Sequence, residues 1–213
     1  MTTPNSLPLS PFTTIPHELV IDIFSHLDIV SVFSFLDSSR FHRRLLLSLR
    51  PVWTTIVLDP EVKMKVEEIY STLRRLKYEN GLREVVERVI MDGVDDHFSP
   101  DPVVMIYKFP NLRYLSATSR RRTTSLMALT QMLRDTLEGG SIPAGSLALR
   151  VLRIHHDYMD NKERVEPLAA VLAKLAGERI ELDIRECAHK GCKTVVKVKP
   201  AVCGGLMATW CDI

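Results

Sequence analysis

No cysteine occurs in the first 186 residues; all four fall in the last 27. A disulfide framework spread through the fold is therefore excluded. No run of about 20 apolar residues occurs, so no transmembrane helix is expected. The stretch Met1 to Phe12 is rich in proline, serine and threonine and lacks the apolar segment of a secretory signal. It is expected to be a flexible lead-in (residues 1–11), and the protein is expected in the cytoplasm, the nucleus or both. Charge of one sign is not in excess: 28 Lys and Arg against 26 Asp and Glu give +2, so the whole chain makes no case for nucleic acid or a membrane surface as partner. No glycine-rich phosphate loop, Gly-x-Ser-x-Gly elbow or His-Glu-x-x-His pair is found, so a non-catalytic protein is expected. What is present, 46% hydrophobic and 25% charged residues over 213 positions, suits one sizeable domain plus a small module.

The most informative stretch runs from Ile15 to Asp28. Pro16 suits the first helical position, where its missing N–H costs nothing. Glu18 lies beside the positive end of the helix dipole. Leu19, Ile23 and Leu27 recur at four-residue intervals, with Val20 and Phe24 widening the stripe. A helix this short is marginal alone, and burying each large apolar side chain is worth roughly 1.5–3 kcal/mol. Such a helix needs something to pack on. After a break at Asp28 to Ser31 comes Val32-Phe33-Ser34-Phe35-Leu36, then a polar turn at Asp37-Ser38-Ser39. Arg40 to Leu47 follows, and Pro51-Val52-Trp53 closes the stretch.

Together these residues resemble an F-box. They supply a Leu/Ile-Pro-x-Glu-Leu opening, an Ile-Phe-Ser-x-Leu-Asp helix end, an Arg-Phe-x-Arg-Arg-Leu helix and a terminal Pro-x-Trp, over about residues 12–55. The resemblance implies three short helices that bind a Skp-type adaptor and, through it, a cullin ubiquitin ligase. It implies Pro16, Leu19, Ile23, Phe24 and Leu27 as the adaptor-facing surface, with Trp53 near the closing contact. Asp37-Ser38-Ser39 departs from the family, which usually has an apolar residue inside the second helix there. A three-helix subdomain that binds no adaptor is the bland alternative.

Beyond Trp53, short β-type runs alternate with helical stretches. Thr54–Leu58, Val85–Gly93, Leu112–Ala117, Leu149–Ile154 and Ile180–Ile184 read as strands. Glu61–Asn80, Thr124–Leu137 and Lys162–Ala176 read as helices, followed by Gly81, Gly139-Gly140 and Gly177 at their C-terminal ends. The strands resemble leucine-rich repeats. Aligned on Val89, Leu115, Leu152 and Leu182 they are spaced by 26, 37 and 30 residues, long and irregular against the usual repeat of about 20–29. The expected fold class is α+β or α/β: a three-helix F-box, then a short, irregular leucine-rich-repeat-like strand–helix arc over residues 56–186. A compact α/β domain with a parallel sheet would give the same alternation.

An arc of this kind offers its concave face to a protein partner. Arg113, Tyr114, Arg150, Arg153, His155 and His156 are the candidate substrate contacts, each with a solvated surface as the plainer reading. The two histidines point to opposite faces of a strand and cannot easily share a ligand. In the Cys-rich tail (187–213), Cys187, His189, Cys192, Cys203 and Cys211 carry the right donors for zinc, although their spacings match no standard finger; free thiols are the alternative. Arg120-Arg121-Arg122-Thr123-Thr124-Ser125 resembles a basophilic phosphorylation site or part of an import signal, or is a loop in which Thr124 or Ser125 caps the next helix. The basic tail residues Lys190, Lys193, Lys197 and Lys199 have little aromatic interleaving and make a poor nucleic-acid site. The function expected is substrate recognition for a Skp–cullin–F-box ligase, with an unknown protein substrate. The alternatives are a repeat scaffold without a ligase and a zinc-dependent interaction module at the C-terminus.

Overall fold

The computed structural model describes residues 14–59, 66–78, 81–94, 102–118, 125–155, 164–178, 180–185, 194–199 and 207–212. It begins with three helices, α1 (His17–Ser25), α2 (Ile29–Ser38) and α3 (Arg40–Ser48), and a 3₁₀ turn over Arg50–Trp53. Pro16 stands one position earlier than expected, as the N-cap. Its carbonyl accepts from the amides of Leu19 and Val20. Asp28 caps α2, its carboxylate accepting from the amides of Val30 and Ser31 at 2.9 and 3.0 Å. Trp53 is 1% exposed. Its indole N–H donates to the Leu46 carbonyl at 2.9 Å, and its ring lies 5.4 Å from that of Phe33. The closing tryptophan thus ties the third helix to the second.

Asp37-Ser38-Ser39 is not a turn. α2 runs through Asp37 to Ser38, because each of the three polar residues finds a partner. The Ser38 hydroxyl donates to the Phe35 carbonyl at 2.6 Å, and Ser39 caps α3 by accepting from the His42 amide. Asp37 accepts two hydrogen bonds from the Arg75 guanidinium, both 2.8 Å, with Arg43 at 3.6 Å. Arg75 also lies over the Phe33 ring, 4.2 Å from its centroid. Arg75 belongs to α4 (Val66–Tyr78), so this fork joins the helical unit to the sheet that follows.

Arg75 holds the Asp37 carboxyl below its ordinary range, chiefly through the side-chain hydrogen bonds. A depressed carboxyl contributes stability that is present above its unfolded value, about 3.9, and lost as pH falls through the folded one. Asp37 is half exposed, so removing the fork by Arg75→Ala should cost only about 1 kcal/mol. Asp37→Asn should flatten the fall in the urea midpoint between pH 5 and pH 3 relative to the parent, by about the same amount.

Among the described residues the sheet has seven strands in chain order. β1 (Thr55–Val57), β2 (Arg88–Ile90), β3 (Tyr114–Ala117), β4 (Val151–His155) and β5 (Glu181–Arg185) run parallel. Between them lie α4, α5 (Pro102–Lys108), α6 (Leu126–Glu138) and α7 (Val165–Ala176). The strand order never reverses, so the crevice of a doubly wound sheet is absent among these strands. Right-handed crossovers that always step the same way place their helices on one face. Ile56, Val89, Leu115, Leu152 and Leu182 stand in one register row, each 1% exposed or less. They form the spine of the core beneath the helices.

Three elements lie beyond what the sequence suggested. α5 fills the crossover between β2 and β3. β6 (Thr194–Lys199) and β7 (Met207–Asp212), inside the expected cysteine-rich tail, continue the sheet as an antiparallel pair on β5. Ser125 caps α6 by accepting from the Ala128 amide, while residues 119–124, including the arginine run, lie outside the described residues. Gly177 ends α7 with φ +71°, and a Cβ there would stand 3.1 Å from the Gly145 Cα. Only glycine fits both the left-handed backbone and the close approach. No helix among the described residues is long and apolar enough to cross a membrane.

Candidate functional site

Among the described residues, two surfaces present side chains suited to recognition. The first is on α1. The apolar stripe expected there divides into two rows: Val20 and Phe24 are 0% and 3% exposed, whereas Leu19, Ile23 and Leu27 are 54%, 44% and 36% exposed. Residues four apart on a helix are separated by about 6 Å along the axis, so Leu19 and Ile23 stand about 6 Å apart, and Leu27 follows just past the C-cap His26. Single exposed leucines are ordinary; three aliphatic side chains exposed together make this row a candidate docking surface.

The inner row explains why the outer one is held firmly. Phe24 packs on Phe35 at 4.9 Å, and Phe35 stacks on His42 at 4.0 Å. α1 is therefore mounted on aromatic rings from α2 and α3. The assignment of Phe24 and Trp53 to an adaptor-facing surface is corrected accordingly. Both are core residues, because the inward row of α1 and the closing tryptophan are what fill the space among three short helices. Pro16 is exposed at the head of the helix.

The second surface is the sheet face turned away from the core row. Strand alternation places Arg88, Tyr114, Val151 and Glu181 in one register row of that face, and Val57, Ile90, Ser116, Arg153 and Asp183 in the next. Arg88 lies over the Tyr114 ring, 4.3 Å from its centroid. Arg153 donates from Nη1 to the Tyr114 hydroxyl at 3.0 Å and from Nε to Asp183 Oδ2 at 2.9 Å. Those bonds, the Tyr114 hydroxyl first, hold the Arg153 guanidinium above its already high range; it is a permanent cation. Nearer the C-terminal ends of the strands, Asp92 accepts from the Ser116 hydroxyl and the Thr118 amide, both at 2.7 Å.

Of the expected substrate contacts, the structure brings Tyr114 and Arg153 together on this face. Arg113 and Arg150 precede β3 and β4 with the parity of Leu115 and Leu152, so alternation takes them off the open face to the sheet rim. There Arg113 pairs with Glu87 at 3.9 Å and Arg150 with Glu178. His155 has the parity of the open face but is 7% exposed, which withdraws it as a surface contact. His156, Cys187, His189, Cys192 and Cys203 lie outside the described residues, and Cys211 is placed only by its backbone, opposite Val195. Sequence reasoning missed Arg88 and Asp183; both share strand parity with Tyr114 and Arg153, the signal that would have found them.

Compared with known proteins, the sequence matches no family model and no curated protein.

Proposed function

We propose that the chain is the substrate-recognition subunit of a Skp–cullin–F-box ubiquitin ligase. The observation that carries this reading is the outward aliphatic row Leu19, Ile23 and Leu27, set in a stretch whose residues resemble an F-box. In this reading residues 12–55 dock on the adaptor. The five parallel strands act as a short leucine-rich-repeat-like arc, whose strand order and single-sided helices suit a repeat stack, and the open sheet face holds a target.

The chain performs no bond chemistry in this role. It places the target near the transferring subunits, raising the local concentration that they meet. The Arg75–Asp37 fork and the Phe33 contact support such placement, because they hold the adaptor-side helices against the first helix of the arc.

Affinity-tagged chain expressed in cells should co-purify a Skp-type adaptor and a cullin in near-equal amounts. Recovery of well-folded chain with neither would favour the alternative, a repeat-domain scaffold that binds its partner without a ligase.

A further inference from the structure

The open sheet face carries two guanidinium groups fixed on a single phenol. Arg88 covers the ring of Tyr114, and Arg153 donates to its hydroxyl. Arginine held in this way has lost its rotamer freedom before any ligand arrives, so a ligand it binds is spared that cost. The tie to Tyr114 and Asp183 uses one Nη1 hydrogen and the Nε hydrogen of Arg153, which leaves three of its five donors. Arg88 is exposed, and no carboxylate among the described residues pairs with it. Arg153 is offset by its ion pair with Asp183, and Asp92, farther along the same face, is engaged by the Ser116 hydroxyl and the Thr118 amide, which leaves Arg88 as the cation without an ion-pair partner among these residues. Glu181 lies three strands from Arg88 in the same row, about 14 Å at the usual strand spacing, and one strand from Arg153, about 8 Å away. Val57 and Ile90, beside Arg88, and Val151, beside Tyr114, are half-buried and give the site an aliphatic floor.

We infer that Arg88, Tyr114 and Arg153 form a receptor for one carboxylate side chain, presented by an extended aliphatic segment of the target protein. The one unpaired cation, Arg88, matches a single carboxylate; a phosphate would bring about two negative charges and meet Asp92 and Asp183 behind the arginines. The aliphatic residues flanking the acid would lie on Val57, Ile90 and Val151. This deepens the proposed substrate face and rests on that reading only for the identity of the ligand as a target segment.

The test uses the full chain alone, so it can fail or succeed independently of adaptor binding. The probes are the capped tripeptides acetyl-Val-Glu-Val-amide, its Gln counterpart and its phosphoserine counterpart, titrated while the Nε–H resonances of Arg88 and Arg153 are followed by NMR. Both resonances should move along one saturable curve with the Glu peptide and remain still with the Gln peptide. Arg88→Gln should weaken binding about tenfold or more, the scale of a lost charge-assisted hydrogen bond. It should leave the unfolding temperature in place, since Arg88 is exposed. Tyr114→Phe keeps the ring but frees Arg153, and should weaken binding while the Arg88 resonance still responds. Equal response to Glu and Gln, response to the phosphoserine peptide alone, or no response in either arginine would overturn the assignment.

Discussion

A chain carrying Leu19→Glu and Ile23→Lys should fold normally and lose its Skp-type adaptor. The two substitutions remove the centre of the exposed row, and anchors of this kind typically account for about 2–4 kcal/mol each in an interface. Losing both should weaken the complex by a thousandfold or more, taking about 4 kcal/mol as the lower bound. The free chain should be spared. Both residues are more than two-fifths exposed; glutamate suits the first turn of α1 and lysine its last. The pair is also spaced four residues apart with the acid first, which stabilises a helix by about 0.2–0.5 kcal/mol. The measurement is adaptor capture beside thermal unfolding. Phe24→Ala gives the contrast, since it empties a core position and should cost about 3–5 kcal/mol of stability. Loss of capture there would follow from unfolding. If the Leu19/Ile23 variant retained full capture, the exposed row would not be the docking face.

The second large effect is on folding. Trp53→Ala should destabilise the chain by about 3–5 kcal/mol, a large part of the ~5–15 kcal/mol available to an ordinary domain. The side chain is almost wholly buried between Phe33 and the last turns of α3. Trp53→Phe should cost much less, about 1 kcal/mol beyond the volume change, because the Leu46 carbonyl keeps its bond from the Leu49 amide when the indole N–H is lost. Urea unfolding at constant slope measures both. Near-equal midpoints for Trp53→Ala and the parent would mean that the helical unit does not depend on this residue.

The strands were legible in the sequence because their apolar residues repeat with the right local pattern. Val89, Leu115, Leu152 and Leu182, aligned by sequence alone, are register partners in the sheet. The helix α1 was legible for the same reason, but the division of its stripe was not. Periodicity gives the width of an apolar face and says nothing of how much of that face a small module can cover; three short helices cover Val20 and Phe24 and leave Leu19, Ile23 and Leu27 outside.

Asp37 misled because its partner, Arg75, is 38 residues away. A polar triplet with no local partner reads as a turn. α5 was hidden by its length of seven residues, too short for a helical period to declare itself between flanking prolines. Thr194 to Lys199 alternates as a strand does, yet it lies between Cys192 and Cys203, whose thiols suggest metal chemistry instead. At the open face the error was one of parity. Arg113 and Tyr114 are neighbours in sequence and cannot both point to the same side of a strand, so the inferred site takes Tyr114 and Arg153 with Arg88, and Arg113 belongs to the rim.

The most direct test of the central claim is size-exclusion chromatography with light scattering on the chain co-expressed with a Skp-type adaptor. A one-to-one complex that forms with the parent sequence and is absent with Leu19→Glu/Ile23→Lys is the result expected. A folded, monodisperse chain that elutes alone in the presence of excess adaptor would contradict the ligase reading.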